Sequence, residues 1–137
     1  MPGSFFDTNV LIYSVSSDLD KAGRARTLIA AGGIISVQVL NEMVNVGRKK
    51  LRLTWPEIDR LIEYVRGALD VHPLTLALHE TGVGLCHRYG FATYDAMIVA
   101  AALHARCEIL WSEDMHDSLV VNDRLTIRNP FAGVRQP

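Results

Sequence analysis

The chain has 137 residues, 49% of them hydrophobic and 21% charged, with a formal net charge of −1 at neutral pH. That length is expected to form one domain with a real core, spanning 1–137, and the composition is that of an ordinary soluble globular protein. Bulk charge excludes a broadly basic nucleic-acid binder, although a cluster of carboxylates would mask a locally basic rim.

Phe5-Phe6 reads as the end of a buried strand, followed at once by the turn formers Asp7, Thr8 and Asn9. A short helix then covers Val10 to Ser14, and a second runs from Asp20 to Ala31, stopped by Gly32-Gly33. Ile34-Ile35-Ser36-Val37 makes a second strand, with Ser36 placed to cap a helix from Val37 to Gly47. In that helix Val37, Leu40, Met43, Val44 and Gly47 recur at helical spacing. Leu51-Arg52-Leu53 leads into Thr54-Trp55-Pro56-Glu57, a capping-box spacing with Pro in the first turn, which opens a helix to Ala68. Val71 to Leu74 is a brief third strand, and Thr75 opens a helix that ends at Gly90. The loop Phe91 to Tyr94 delivers Asp95 to an apolar helix, Ala96 to Ala105. Cys107 to Trp111 is a strand followed by Ser112-Glu113-Asp114, and Leu125-Thr126-Ile127 is the last. Strands alternating with helices predict an α/β fold in three layers, α/β/α, around a parallel sheet.

Cys86 and Cys107 form no CxxC pair and suggest neither zinc nor a disulfide framework, which fits a reducing cytoplasm. No basic leader precedes the first apolar stretch. The longest apolar run, Ala96 to Leu103, falls far short of the ~20 residues of a membrane span. A cytoplasmic protein without membrane association is expected.

Four acids, Asp7, Glu42, Asp95 and Asp114, each stand beside their own apolar segment. Taken alone, Asp7 is a helix cap, Asp95 a carboxylate favoured by a helix dipole, and Glu42 a solvated residue beside Gln38, Asn41 and Asn45. Asp114, however, repeats after its strand the geometry of Asp7, at the strand edge where open α/β sheets place ligands. Asp117 lies three residues further on and is a rival for the same role. Carboxylates gathered in one site repel and raise a pKa unless a cation stands between them. Oxygen-only ligands select a hard ion, Mg²⁺ or Mn²⁺, and a water on such an ion is a ready nucleophile toward phosphorus.

Phe6-Asp7-Thr8-Asn9-Val10-Leu11-Ile12, Asn41-Glu42-Met43, Tyr94-Asp95-Ala96 and Leu110-Trp111-Ser112-Glu113-Asp114 together resemble the PIN-domain ribonucleases. The closest type is the VapC toxin of bacterial toxin–antitoxin pairs. The resemblance covers almost the whole chain, with the motifs in order, and implies that 1–137 is a single PIN-like nuclease domain. It implies a central, mostly parallel five-stranded sheet and RNA phosphodiester hydrolysis, with Asp7, Glu42, Asp95 and Asp114 as the catalytic acids. Asp7, Asp95 and Asp114 would bind Mg²⁺ or Mn²⁺, with Asp117 as the alternative fourth acid, and Asn9 and Ser112 match the polar residues that support them. An antitoxin protein that blocks the cleft, and a homodimer, are the partners it implies.

Arg48, Lys49, Lys50 and Arg52 form a charge run that reads as a solvated helix end or as a basic rim for RNA phosphates. His72, His79, His87, His104 and His116 show no ligand spacing. An aspartate-based phosphatase or receiver domain is the rival enzyme, but such sites want a late lysine and none follows Lys50. A catalytically silent PIN-like binding module is the other rival, and it would be betrayed by a missing acid.

Overall fold

The computed structural model describes residues 3–133, through which strands and helices alternate as expected. In order they are β1 (Ser4–Phe6), α1 (Thr8–Tyr13), α2 (Leu19–Ala30), β2 (Ile34–Ser36), α3 (Val37–Lys49) and α4 (Trp55–Ala68). There follow β3 (Asp70–His72), α5 (Leu76–Tyr89), α6 (Thr93–His104), β4 (Ile109–Trp111), β5 (Val120–Val121) and β6 (Leu125–Arg128). All the strands join one sheet in the order β3-β2-β1-β4-β6-β5, with every pair parallel except β5 with β6.

The sheet therefore has six strands, not five. The extra one, β5, is two residues long and follows no period that a sequence reading can detect. Its turn is nevertheless written in the chain: Asn122 and Asp123 both take positive φ, and Arg124 N–H closes on the Val121 carbonyl at 3.1 Å. Asn and Asp tolerate the left-handed region, and two such residues in succession make the turn whose twist suits a hairpin.

Local chemistry accounts for most helix ends. Thr54 and Glu57 exchange both bonds of a capping box at the head of α4. Gly90 ends α5 at φ +76, a conformation that carries no Cβ penalty only in glycine. Ser36 stands at the N-cap of α3 but caps nothing, and its buried hydroxyl has no partner among the described residues. In α3 the buried stripe is Val39, Met43 and Gly47, one step round from the predicted one, and Val37 is exposed. Gly47 lets the helices approach closely there, since a Cβ would stand 2.4 Å from the terminal methyl of Ile58 on α4 and displace it.

Helix α6 begins at Thr93, so Asp95 lies within its first turn and not just before it. From Ala96 to Leu103 every residue is buried, and the helix has no polar face. Such a helix must be covered on all sides, and α5 and the sheet do this. Phe5, Phe6, Ile35, Leu110 and Ile127 fill the sheet side of the core.

Candidate active site

The sheet reverses its direction of growth between β1 and β4, with β2 and β3 on one side and β6 and β5 on the other. Open α/β sheets form a crevice at the carboxyl ends of strands at such a point. Phe6 pairs with Trp111, so the two strands end level, and Asp7 N–H continues the ladder to the Trp111 carbonyl at 2.9 Å. Asp7 and Ser112 are therefore neighbours, and the Ser112 hydroxyl donates to Asp7 Oδ2 at 2.8 Å. The other oxygen of Asp7 accepts from Thr8 N–H at 2.7 Å, which also makes Asp7 the N-cap of α1. Asp7 is thus a helix cap that also stands at the carboxyl end of its strand.

A cleft of about 470 Å³ opens over these strand ends, and Asp7, Glu42, Asp95 and Asp114 all line it. Asn9 ties two of them together: its Nδ2 donates to Asp114 Oδ2 at 2.9 Å and lies 3.4 Å from Asp7 Oδ2. Glu42 is held from two sides, by the Thr8 hydroxyl at 2.6 Å and by Gln38 Nε2 at 3.3 Å. Its place on α3, one residue from buried Met43, leaves it half-buried and turned toward α1.

Several participants were not anticipated. Thr8 sits in the polar triplet after β1, but nothing in its spacing marks it as the clamp on Glu42. Glu113 also lines the cleft and accepts from Tyr13 Oη and Lys21 Nζ, each at 2.8 Å. Lys21 lies 4.7 Å from the centre of the Tyr13 ring, and the Glu113 carboxylate holds its ammonium above the usual range. Glu113 N–H in turn donates to Asn9 Oδ1 at 3.2 Å. The strand end bearing Asp114 is thereby fastened to α1 and α2. No sequence signal points to Lys21, because the contact spans 92 positions.

Of the basic run, Lys50 alone lines the cleft. Arg48 is engaged elsewhere, donating to the Leu53 carbonyl at 2.8 Å and stacking 4.4 Å from the Trp55 ring centre. Lys49 and Arg52 are exposed outside the cleft. Asp117 is also outside it, its Oδ1 accepting from Asn129 N–H at 2.9 Å.

The sequence profile of the PIN domain family matches residues 4–118. The chain belongs to the PIN domain family. The match begins at β1 and takes in every acid considered above. Several solved structures resemble this PIN domain in fold. A toxin–antitoxin complex from Klebsiella pneumoniae superposes with a TM-score of 0.70 at 24% identity, over 93% of this chain and 98% of its own. VapBC2 from Rickettsia felis, bound to a promoter DNA fragment, gives 0.68 at 16%, over 92% and 97%. VapC20 of Mycobacterium tuberculosis, described as a sarcin-ricin loop cleaving toxin, gives 0.61 at 17%, over 82% and 90%. No curated protein matches the sequence.

The electrostatics of this PIN domain follow from its burial. Asp7 is only 6% exposed, and desolvation is the main reason its carboxyl is pushed up to about 6. The bonds from Ser112 and Thr8 oppose that rise, while the charges of Asp95 and Glu42 add to it. Asp95 is raised too, first by partial burial and then by Asp114. Among the described residues no three Asp, Glu, His or Cys side chains form a ready-made metal cage. The donor set is instead an open one, carboxylate oxygens from separate elements whose fields overlap across one cleft. That chemistry fits a hard cation keeping part of its water shell. No helix among the described residues is long and apolar enough to cross a membrane.

Proposed function

We propose that this PIN domain is a metal-dependent endoribonuclease, the toxin of a toxin–antitoxin pair. The observation that supports this most is the convergence of Asp7, Glu42, Asp95 and Asp114 on one cleft at the β1/β4 reversal. Asp7, Asp95 and Asp114 would hold Mg²⁺ or Mn²⁺, which supplies Lewis-acid chemistry, a more acidic water and charge neutralisation at the phosphate.

The chain's own residues set the geometry around that centre. Ser112 and Thr8 fix both oxygens of Asp7, so its rotamer is decided before any ligand arrives. Asn9 bridges Asp7 and Asp114 and keeps their separation constant. Glu42, held by Thr8 and Gln38, orients a water and accepts its proton. Lys50, at the rim, carries positive charge to a flanking phosphate.

The partners proposed are an RNA substrate, an antitoxin that covers the cleft, and a second copy of the chain. The solved structures similar in fold include a toxin–antitoxin complex and a VapBC pair on DNA, which supports the antitoxin. The reading is tested by assaying purified wild type and Asp7→Asn, Glu42→Gln, Asp95→Asn and Asp114→Asn on single-stranded RNA. Each variant is expected to lose about 100-fold or more in kcat/KM, in keeping with several kcal/mol of lost charge stabilisation. Full activity in the Asp7 or Asp114 variant would remove the cleft from the reaction.

A further inference from the structure

The acid cleft has a neighbour. A second pocket, of about 310 Å³, shares Asp95 and Asp114 with it and extends past Tyr89, Phe91, Met115 and His116. Its size is at the lower end for ligand pockets, about 300–1,000 Å³, which suits one planar ring system and not a folded helix of nucleic acid. Its aromatic part is prearranged. Tyr89 Oη is bound to Asn122, accepting from its N–H at 2.9 Å, so the ring is pinned. Gly90, at positive φ, turns the chain between the two aromatics, leaving the Tyr89 and Phe91 rings 5.8 Å apart at 43°. Phe91 packs one part of its ring on the core and remains half-buried. Polar capacity is present as well. Ala92, which lines the pocket at the head of α6, offers no side-chain cap to the helix's first N–H groups.

We propose that this pocket receives the nucleobase flanking the scissile phosphate, with Phe91 as its stacking face, and that it determines which sequence is cut. The inference rests on the ribonuclease reading. A phosphodiester placed against Asp95 and Asp114 has its adjacent nucleotide within reach of a pocket whose wall is those same two residues. Single-stranded RNA is recognised by splaying unstacked bases onto aromatic side chains, which a duplex does not permit. Phe91 is thus a specificity-determining residue, and it acts on the base and not on the reacting atoms.

The test first maps the cut sites of the wild type in a randomised single-stranded RNA pool with Mg²⁺. It then measures kcat/KM on short RNAs that are intact or abasic at each nucleotide flanking the cut. For the wild type, one flanking position is expected to lose about 5- to 100-fold on removal of its base, the range seen for base–aromatic stacking. Phe91→Leu, which keeps an apolar group on the core, is expected to shrink that loss to about 2-fold or less, and Phe91→Trp to retain it. A Phe91→Leu protein with the wild-type abasic loss overturns the pocket, as does a wild type that cuts RNA with no base dependence at either flank. In both cases the ribonuclease stands. A wild type that cuts no RNA overturns the ribonuclease and the pocket with it. Thermal melts check that the leucine variant is folded; if it is not, the wild-type abasic comparison decides alone.

Discussion

Replacing Asp7 by Asn should stabilise the metal-free protein at neutral pH and destabilise it in acid. Burial raises the Asp7 carboxyl from an ordinary 3.8 to about 6. At about 1.4 kcal/mol per tenfold change in proton affinity, keeping it ionised in the fold costs about 3 kcal/mol. The sign follows from linkage: the folded state binds the proton more tightly, so stability falls as pH rises from about 3.8 through about 6. Asparagine removes the charge but has one acceptor oxygen, so it cannot serve Thr8 N–H on one side and Ser112 and Asn9 on the other as the carboxylate does, a loss of about 1–2 kcal/mol. The net gain at pH 7.5 is about 1–2 kcal/mol, which for a chain of this size raises Tm by about 4–8 °C. Near pH 4 the wild-type carboxyl is already protonated in the fold, so only the lost hydrogen bonding remains and the variant melts lower. The assay is a pair of thermal melts in EDTA at the two pH values. Refutation is a variant that melts below the wild type at pH 7.5, or a difference that does not change sign with pH.

Three further outcomes are expected. Asp114→Asn should abolish RNA cleavage in a gel assay while Asp117→Asn leaves it within about 3-fold, because an asparagine at 117 still accepts the Asn129 N–H; equal losses would put the fourth acid in the wrong place. Glu113→Gln should lower stability by about 2 kcal/mol in a urea titration, since it leaves the Lys21 ammonium half-buried without its counter-ion; an unchanged midpoint would show that the Lys21 contact fastens nothing. Lys50→Ala should raise KM for RNA about 3- to 10-fold with kcat intact, and lower the salt slope of binding by about one; a fall in kcat alone would place Lys50 at the reacting atoms.

How far the sequence could be read depended on the range of the interaction concerned. The capping box at Thr54 and Glu57 and the glycine stop at Gly90 are local, and both elements end where those residues put them. The alternation of strands and helices likewise carries through to the parallel order around β1 and β4. The stripe of α3 was misplaced by one step because Val37 is apolar yet exposed, and Val39 is the residue that meets the core. Strand β5 escaped because two residues show no period, though Asn122-Asp123 held the turn signal. The gathering of the four acids was legible as a set of motifs, while the clamps upon them were not. Thr8 on Glu42 and Lys21 on Glu113 join residues 34 and 92 positions apart, and nothing local in either segment requires the contact. The basic run looked uniform in sequence, but the α3 terminus sends Lys50 into the cleft and Arg48 against Trp55.

The central claim is that these acids hold a divalent ion for RNA hydrolysis, and its most direct measurement is cleavage of a labelled single-stranded RNA by the purified chain. Three conditions suffice: EDTA, EDTA followed by excess Mg²⁺ or Mn²⁺, and the same with Asp114→Asn. Cleavage absent in EDTA, restored by either ion in the wild type and by neither in the variant, is the predicted result. Undiminished cleavage in EDTA, or ion-restored cleavage by the Asp114 variant, would contradict it.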